Sequence, residues 1–193
     1  MNRLSDDEYL NIFKESKALL EGHFLLTSGK HSGQYMQCAQ VLQYPDRAAT
    51  LAEGLAESFR DANVQTVIGP AVGGILVAHE VGRALGVRAL FTERENGVMR
   101  LRRGFAILPG ERVLVVEDVI TTGGSVREVL DVVREFGAVP VGVGVLVDRS
   151  GGKIDFGLPK SSILQLNIQA FDAKECPLCA KGIPAVKPGS RKL

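Results

Sequence analysis

An apolar run that ends on two adjacent acids, and then on a hydroxyl- and glycine-rich turn, constrains this chain more than any other stretch. It reads Val113-Leu114-Val115-Val116-Glu117-Asp118-Val119-Ile120-Thr121-Thr122-Gly123-Gly124-Ser125. Four β-branched or leucine residues in succession predict a strand buried on both faces, as in the middle of a parallel sheet. Glu117 and Asp118 then emerge at its carboxyl end, where open α/β sheets place their ligands. The turn Thr121 to Ser125 offers backbone N–H groups, small hydroxyls and two glycines that let an anion approach closely. A helix is predicted from about Val126, and its N-terminus adds the positive end of a dipole. Adjacent acids beside an anion cradle suit a ligand with a vicinal diol at one end and a phosphate at the other, which is the shape of ribose 5-phosphate. The plainer alternative is a strand-turn-helix with a few exposed polar residues. A Walker-type loop does not fit, since no Gly-x-x-x-x-Gly-Lys-Ser/Thr occurs and the acids precede the turn.

The rest of the chain alternates helices and strands without repeats, the α/β pattern. Its 193 residues are 45% hydrophobic and 23% charged, with a net charge of +1, which predicts one domain with a sizeable core. The near-neutral balance speaks against nucleic-acid binding by bulk charge. No apolar run approaches about 18 residues, and the start Met1-Asn2-Arg3-Leu4-Ser5-Asp6-Asp7-Glu8 is too acidic and polar for a signal peptide. No membrane partner and a cytoplasmic location are therefore expected. Ser5 with Glu8 makes a capping box for a helix running to about Glu21, and Asp46 can cap a second, Arg47 to about Asp61. Strands are predicted at Val64 to Ile68, Val87 to Phe91, Val141 to Val147 and Ile163 to Leu166. A helix from Gly74 to about Leu85 is closed by Gly86, and Gly137 and Pro140 break the chain. Helix-linked strands imply right-handed crossovers and a parallel sheet. Gly22 to Tyr44 fits no such unit and is expected to form a hood over the sheet's carboxyl edge. The expected division is a single domain over 1–193, with the hood at about 1–45, the core at about 46–170 and a tail at about 171–193.

Gly69-Pro70-Ala71-Val72-Gly73-Gly74 follows one predicted strand and precedes a helix, so it is a second anion-cradling turn at the same sheet edge. Two such turns can hold two phosphate groups. Taken alone, a glycine-rich strand-to-helix turn is also a routine packing device.

Glu117 through Ser125 resembles the phosphoribosyl-diphosphate (PRPP) signature of the type I phosphoribosyltransferases at every position. The resemblance implies that family's α/β fold, a central parallel sheet flanked by helices with an N-terminal hood. It makes Glu117 and Asp118 the catalytic acids and Val119, Ile120, Thr121, Thr122, Gly123, Gly124 and Ser125 the PRPP loop. Pro70, Ala71, Val72 and Gly73 become the pyrophosphate loop, whose backbone, often cis in the family, aims amides at the leaving diphosphate. Thr92 to Gly104, with Arg94, Arg100, Arg102 and Arg103, looks like a mobile lid; the alternative is a solvated hairpin. A departing diphosphate needs cations and a cationic sugar needs water kept out, so Arg94 and Arg100 are assigned catalytic roles.

Phe24 to Gln37 is similar to the amino-terminal region of the orotate phosphoribosyltransferase family, with Ser28-Gly29, Lys30 and Ser32 matching best. Val147-Asp148-Arg149 matches a second element, in which the arginine meets the substrate's carboxylate. On this resemblance Thr121, Arg149, Lys30 and Tyr35 bind orotate, Mg²⁺ arrives through PRPP, and no side chain is assigned as a metal ligand. The expected enzyme is a pentosyltransferase of UMP synthesis, a homodimer with shared active sites. A purine phosphoribosyltransferase and a non-catalytic nucleotide-sensing regulator on the same fold are the alternatives. Two departures stand out: many members carry lysine where Thr27 stands, a contact Lys30 would then have to supply, and many have a longer, lysine-rich lid. His23 and His31 have no obvious metal partners in the sequence. Cys176-Pro177-Leu178-Cys179 reads as half of a zinc site, as a redox pair, or as a buried turn, and the last is preferred. A complete zinc site would require Cys38, a histidine or a second subunit. The stretch from Val186 to Leu193 is expected to be a loose basic end.

Overall fold

The computed structural model describes residues 3–26 and 28–188. Thr27 lies outside them, as do 189–193, which hold most of the expected basic end. Ser5 opens helix α1 (Asp6–Glu15) with both halves of the capping box, its N–H donating to the Glu8 carboxylate at 2.8 Å. The helix ends at Glu15 rather than at the expected Glu21. Lys17 turns left-handed at φ 55°, and the buried Ala18 and Leu19 lead into strand β1 (Leu19–Leu25). β1 pairs antiparallel with β2 (His31–Met36), with an irregularity between Glu21 and Phe24. After the short α2 (Ala39–Leu42) comes α3 (Pro45–Glu57). Asp46 is not its cap: Tyr44 is the extended residue before it, Pro45 takes the first helical position, and Asp46 lies in the first turn against the dipole.

The core is a six-stranded sheet in the order β5-β4-β3-β6-β7-β8. Its strands are β3 (Thr66–Pro70), β4 (Arg88–Glu95), β5 (Val98–Leu101), β6 (Arg112–Ile120), β7 (Val139–Asp148) and β8 (Lys160–Gln165). All neighbours run parallel except β4 and β5. Helix α4 (Gly73–Leu85) carries the chain from β3 outward to β4, whereas α5 (Gly124–Glu135) carries it from β6 in the opposite direction to β7. The direction of winding therefore reverses between β3 and β6, and a crevice opens beyond their carboxyl ends. Alternate β6 residues feed two cores. Leu114 and Val116 pack with α1, α3 and α4 through Tyr9, Phe13, Leu51, Leu55 and Val77, while Val113 and Val115 pack with α5 through Val126, Val129 and Val133.

Two boundaries moved for identifiable reasons. β7 starts before Pro140, which pairs with Val113 where the register shifts, so the absent N–H falls at an irregularity. β4 continues to Glu95, turns through Asn96 and Gly97 at φ 53° and 82°, and returns as β5. The segment expected as a lid is thus a tight β-hairpin on the sheet edge, because Asn-Gly supplies the two positive φ values such a turn needs.

The hood draws on both ends of the chain. After β8, strand β9 (Ala170–Phe171) pairs antiparallel with β2. The chain then makes the short helix α6 (Pro177–Ala180), and Val186 bridges to Phe24. Val186 is therefore tied to β1, not loose.

α3 meets α1 where Gly54 leaves room for Tyr9: a Cβ at position 54 would lie 1.9 Å from the Tyr9 hydroxyl oxygen and 2.8 Å from Cζ. Gly54→Ala should destabilise the fold by about 1–3 kcal/mol despite the better helix propensity of alanine. Denaturant unfolding checks this. Tyr9→Phe in the same background should recover only part of the loss, since the ring carbon still collides.

Candidate active site

Both strand-to-helix turns at the reversal point lack a side-chain cap. α4 begins after Val72 and α5 after Gly123, and neither has an N-cap side chain accepting a hydrogen bond from its first-turn N–H groups. Their leading N–H groups are available to anions. Gly123 is left-handed at φ 76°, and a Cβ there would strike the Phe156 ring at 2.9 Å. In the other turn the Ala71–Val72 peptide is cis, and the Ala71 N–H donates to the Thr92 carbonyl at 2.7 Å. This turn meets the end of β6: a Cβ on Gly73 would lie 2.3 Å from Asp118 Oδ2. The turn Pro70-Ala71-Val72-Gly73 thus abuts the acid pair through Gly73.

Glu117 is buried and Asp118 half-buried at the end of β6. The Val119 N–H donates to Asp118 Oδ1 at 2.8 Å, and the Asp118 N–H donates to Glu117 Oε1 at 3.2 Å. Burial pushes the Glu117 carboxyl up to about 9, and the Asp118 charge adds to the rise. Burial raises Asp118 as well, against the lowering effect of its hydrogen bonds. Two acids side by side in a poorly solvated cleft resist double ionisation.

Two cavities flank the pair. The smaller, about 220 Å³, is lined by Thr121, Thr122, Gly123, Gly124, Ser125 and Arg94, with Glu117, Val119, Ile120 and Glu128 completing it. The larger, about 650 Å³, lies between the sheet edge and the hood. Val119, Thr121 and Thr122 wall both cavities, and Tyr35, Met36, Gln37, Arg149 and Lys187 face the larger. The Nε of Arg149 is buried and has no hydrogen-bond partner among the described residues. Burial pulls this guanidinium below its ordinary range, although the nearby Tyr35 and Cys38 oppose the shift. An arginine buried without an acid is expensive unless a ligand supplies the counter-charge.

The remaining assigned residues divide. Arg94 reaches the small cavity and pairs with Glu128 at 2.7 Å. Arg100 does not reach it: it lies on β5, well exposed, 3.9 Å from Glu95. Arg102 and Arg103 are likewise paired, with Glu95 and Glu93. Lys30 is not at the large cavity either, because Asp172 from the tail holds it on the outside of the hood at 3.6 Å. Gln37, Ile168, Ala170 and Lys187 line that cavity but carried no sequence signal; only the pairing of β9 with β2 and of Val186 with Phe24 brings the last three there.

Two uncapped helix N-termini and a buried acid pair at the reversal point of a parallel sheet define a phosphoribosyltransferase-type site. The phosphoribosyl transferase domain matches residues 37–167, and the chain belongs to that family. It is 59% identical, over 193 residues and the whole of both chains, to the orotate phosphoribosyltransferase of Desulforamulus reducens. It is 57% identical over 190 residues to that of Caldanaerobacter subterraneus subsp. tengcongensis, covering 98% of this chain and all of the relative. The crystal structure of orotate phosphoribosyltransferase from Aeropyrum pernix matches with a TM-score of 0.67 at 29% identity, covering 81% of this chain and 92% of that one. Within the wider family, the chain therefore belongs with the orotate phosphoribosyltransferases.

The raised acid makes a prediction about stability. The folded state holds on to a Glu117 proton that the unfolded chain releases near its ordinary value of 4.5, so stability falls as pH rises from there toward about 9. Glu117→Gln should melt higher than the parent at pH 8 in the absence of ligand, with the gap shrinking toward pH 5. Equal melting temperatures across that range would contradict the raised carboxyl.

Proposed function

We propose that the protein transfers ribose 5-phosphate from PRPP to N1 of orotate, giving orotidine 5′-monophosphate and diphosphate. The observation that carries the orotate assignment is Arg149, half-buried at the cavity beside the PRPP signature with its buried Nε unpartnered among the described residues. Orotate brings a carboxylate to that guanidinium. A purine base brings none, which disfavours a purine phosphoribosyltransferase, and a nucleotide sensor would not need the acid pair to face the reacting carbon. Orotate-dependent diphosphate release, with adenine and xanthine as controls, tests the reading directly.

In this reading the turn Thr121 to Ser125 and the α5 N-terminus bind the 5′-phosphate, with Arg94 closing the same small cavity. Pro70, Ala71, Val72 and Gly73, with the α4 N-terminus, receive the diphosphate. Glu117 and Asp118 accept hydrogen bonds from the ribose hydroxyls and stabilise the positive charge that develops at the anomeric carbon. Orotate lies under the hood, with its carboxylate at Arg149 and its ring near Tyr35. Positioning and preorganised charge do most of the catalytic work. The acid pair offers oxygen donors only, which suits Mg²⁺ carried in on PRPP and otherwise held by substrate and water. When bound, that ion neutralises diphosphate charge.

Lys187 lines the base cavity while Lys30 does not, so Lys187 supplies the cation that many relatives place at the position of Thr27. The proposed assembly is a homodimer. Arg100 and Arg102 lie outside their own subunit's cavities and would serve the partner's. Among the described residues no helix is long and apolar enough to cross a membrane, and the proposed setting is cytoplasmic UMP synthesis.

Arg149→Lys should lower kcat/KM for orotate by roughly a hundredfold, through loss of the planar fork that grips a carboxylate. PRPP binding should change little. Glu117→Gln with Asp118→Asn should nearly abolish turnover in a folded protein, and near-normal turnover would remove both acids from the mechanism. For the shared site, an Arg100→Ala, Arg102→Ala variant mixed with Asp118→Asn should regain activity through hybrid dimers, with subunit exchange confirmed by tagged co-purification. Hybrids that form but stay inactive would place those arginines outside the reaction.

A further inference from the structure

The hood contains a cluster that the transfer reaction does not use. His23 lies on β1, His31 on β2, and Cys176 and Cys179 at the turn into α6, yet one ligand atom from each falls within 4.8 Å of the other three. His23 Nε2 is 3.5 Å from Cys176 Sγ and 3.8 Å from Cys179 Sγ, and His31 Nδ1 is 3.2 Å from Cys179 Sγ. In a tetrahedron with ordinary zinc bond lengths, nitrogen-to-sulfur edges are about 3.5 Å. The two histidine nitrogens are closer, at 2.7 Å. An ion would part them to about 3.3 Å.

The surrounding structure prepares the ligands. His23 Nδ1 is 2.7 Å from the Ile183 carbonyl oxygen. A carbonyl only accepts, so this nitrogen holds the proton and leaves the Nε2 lone pair aimed into the cluster. A backbone carbonyl fixing the far nitrogen is the usual outer support of a metal-bound histidine. His31 faces the same side of the ribbon, since it pairs with Leu25, two residues after His23. Gly33 continues that face, and a Cβ there would lie 3.9 Å from Leu178, between the two cysteines. His23 and Cys176 are buried, at 4% and 2% exposure.

We propose that His23, His31, Cys176 and Cys179 form a structural Zn²⁺ site that fastens the C-terminal segment to the hood. Two thiolates and two neutral imidazoles make a donor set characteristic of tetrahedral zinc, and they balance its charge. On binding, each thiol releases its proton to solvent, and His31, whose Nδ1–H donates to His23 Nε2 in the ion-free state, shifts its single proton to Nε2 and ligates through Nδ1. Four protein ligands leave no open position, so the ion takes no part in ribosyl transfer. Its effect is to hold the tail against β1 and β2, whose ends, with Lys187, border the base cavity. Without an ion, the same contacts describe a histidine hydrogen bond beside a dithiol, and the experiment separates the two states.

Full-length protein purified under reducing conditions, stripped by chelator and titrated with Zn²⁺ should bind about one ion per chain. Co²⁺ in its place should give the intense visible bands of a tetrahedral site and thiolate-to-metal charge transfer. Cys176→Ser with Cys179→Ser should lose both signals, as should His31→Asn, a milder change on a half-buried side chain, with the fold verified by circular dichroism. Chelation should lower the melting temperature of the parent and leave that of the variants unchanged. Failure of the reduced parent to bind either ion, weak octahedral cobalt bands, or full stoichiometry in the folded variants would each overturn the proposal. None of these measurements depends on orotate turnover.

Discussion

A carboxylate occupies the place where a side chain at position 73 would begin, and the active site is organised around that contact. Because Gly73 has no Cβ, Asp118 can lie directly against the turn after β3. Gly69 and Gly74 extend the same economy of space: a Cβ on Gly69 would meet the Gly74 carbonyl oxygen at 2.5 Å, and one on Gly74 would meet the Pro70 ring at 2.8 Å. Two helix N-termini are thereby held at one crevice with the acids between them. Any side chain at these positions would push the turn after β3 away from the acids.

The ligand-free site is electrostatically unbalanced in both directions. Glu117 and Asp118 share a cleft that disfavours their charge, and the half-buried Arg149 leaves its buried Nε unpartnered among the described residues. Each would be more comfortable in a better solvated or better paired setting, so each subtracts from the stability of the empty protein. The two faults lie on opposite sides of Val119 and Thr121, and they are complementary to a sugar that becomes cationic and a base that carries a carboxylate. The peripheral arginines differ: Arg94, Arg100, Arg102 and Arg103 all have glutamate partners, so a phosphate has to compete for them.

What was legible in the sequence follows from how local each signal is. The run Val113 to Val116 announced a central strand because burial on both faces leaves no polar alternation, and the signature after it is contiguous. Arg149 follows directly from β7 and was legible by the same route. Lys30 lies off the larger cavity beside Asp172, a neighbour of which its sequence context carries no trace. The Thr92 to Gly104 segment was read for its arginines, whereas its Asn96-Gly97 pair fixed the backbone as a hairpin. The spacing of Cys176 and Cys179 showed half of their cluster with His23 and His31, but nothing local linked the pair to those histidines. That link depends on the tail crossing back over β1, where Val186 exchanges backbone hydrogen bonds with His23 and Leu25.

A hood assembled from both ends of the chain sets an order on biosynthesis. β1 and β2 are made before the core sheet, but β9, the α6 turn and Lys187 follow it, so the two strand-to-helix turns can form before the larger cavity has a complete wall. Contacts spanning 153 and 160 residues, from His23 to Cys176 and Ile183, close only after the whole intervening sheet has been made. A chain interrupted after β8 would therefore carry the two strand-to-helix turns without the enclosure over the larger cavity, and the segment from β9 to Lys187 decides when the sheet edge becomes a walled chamber.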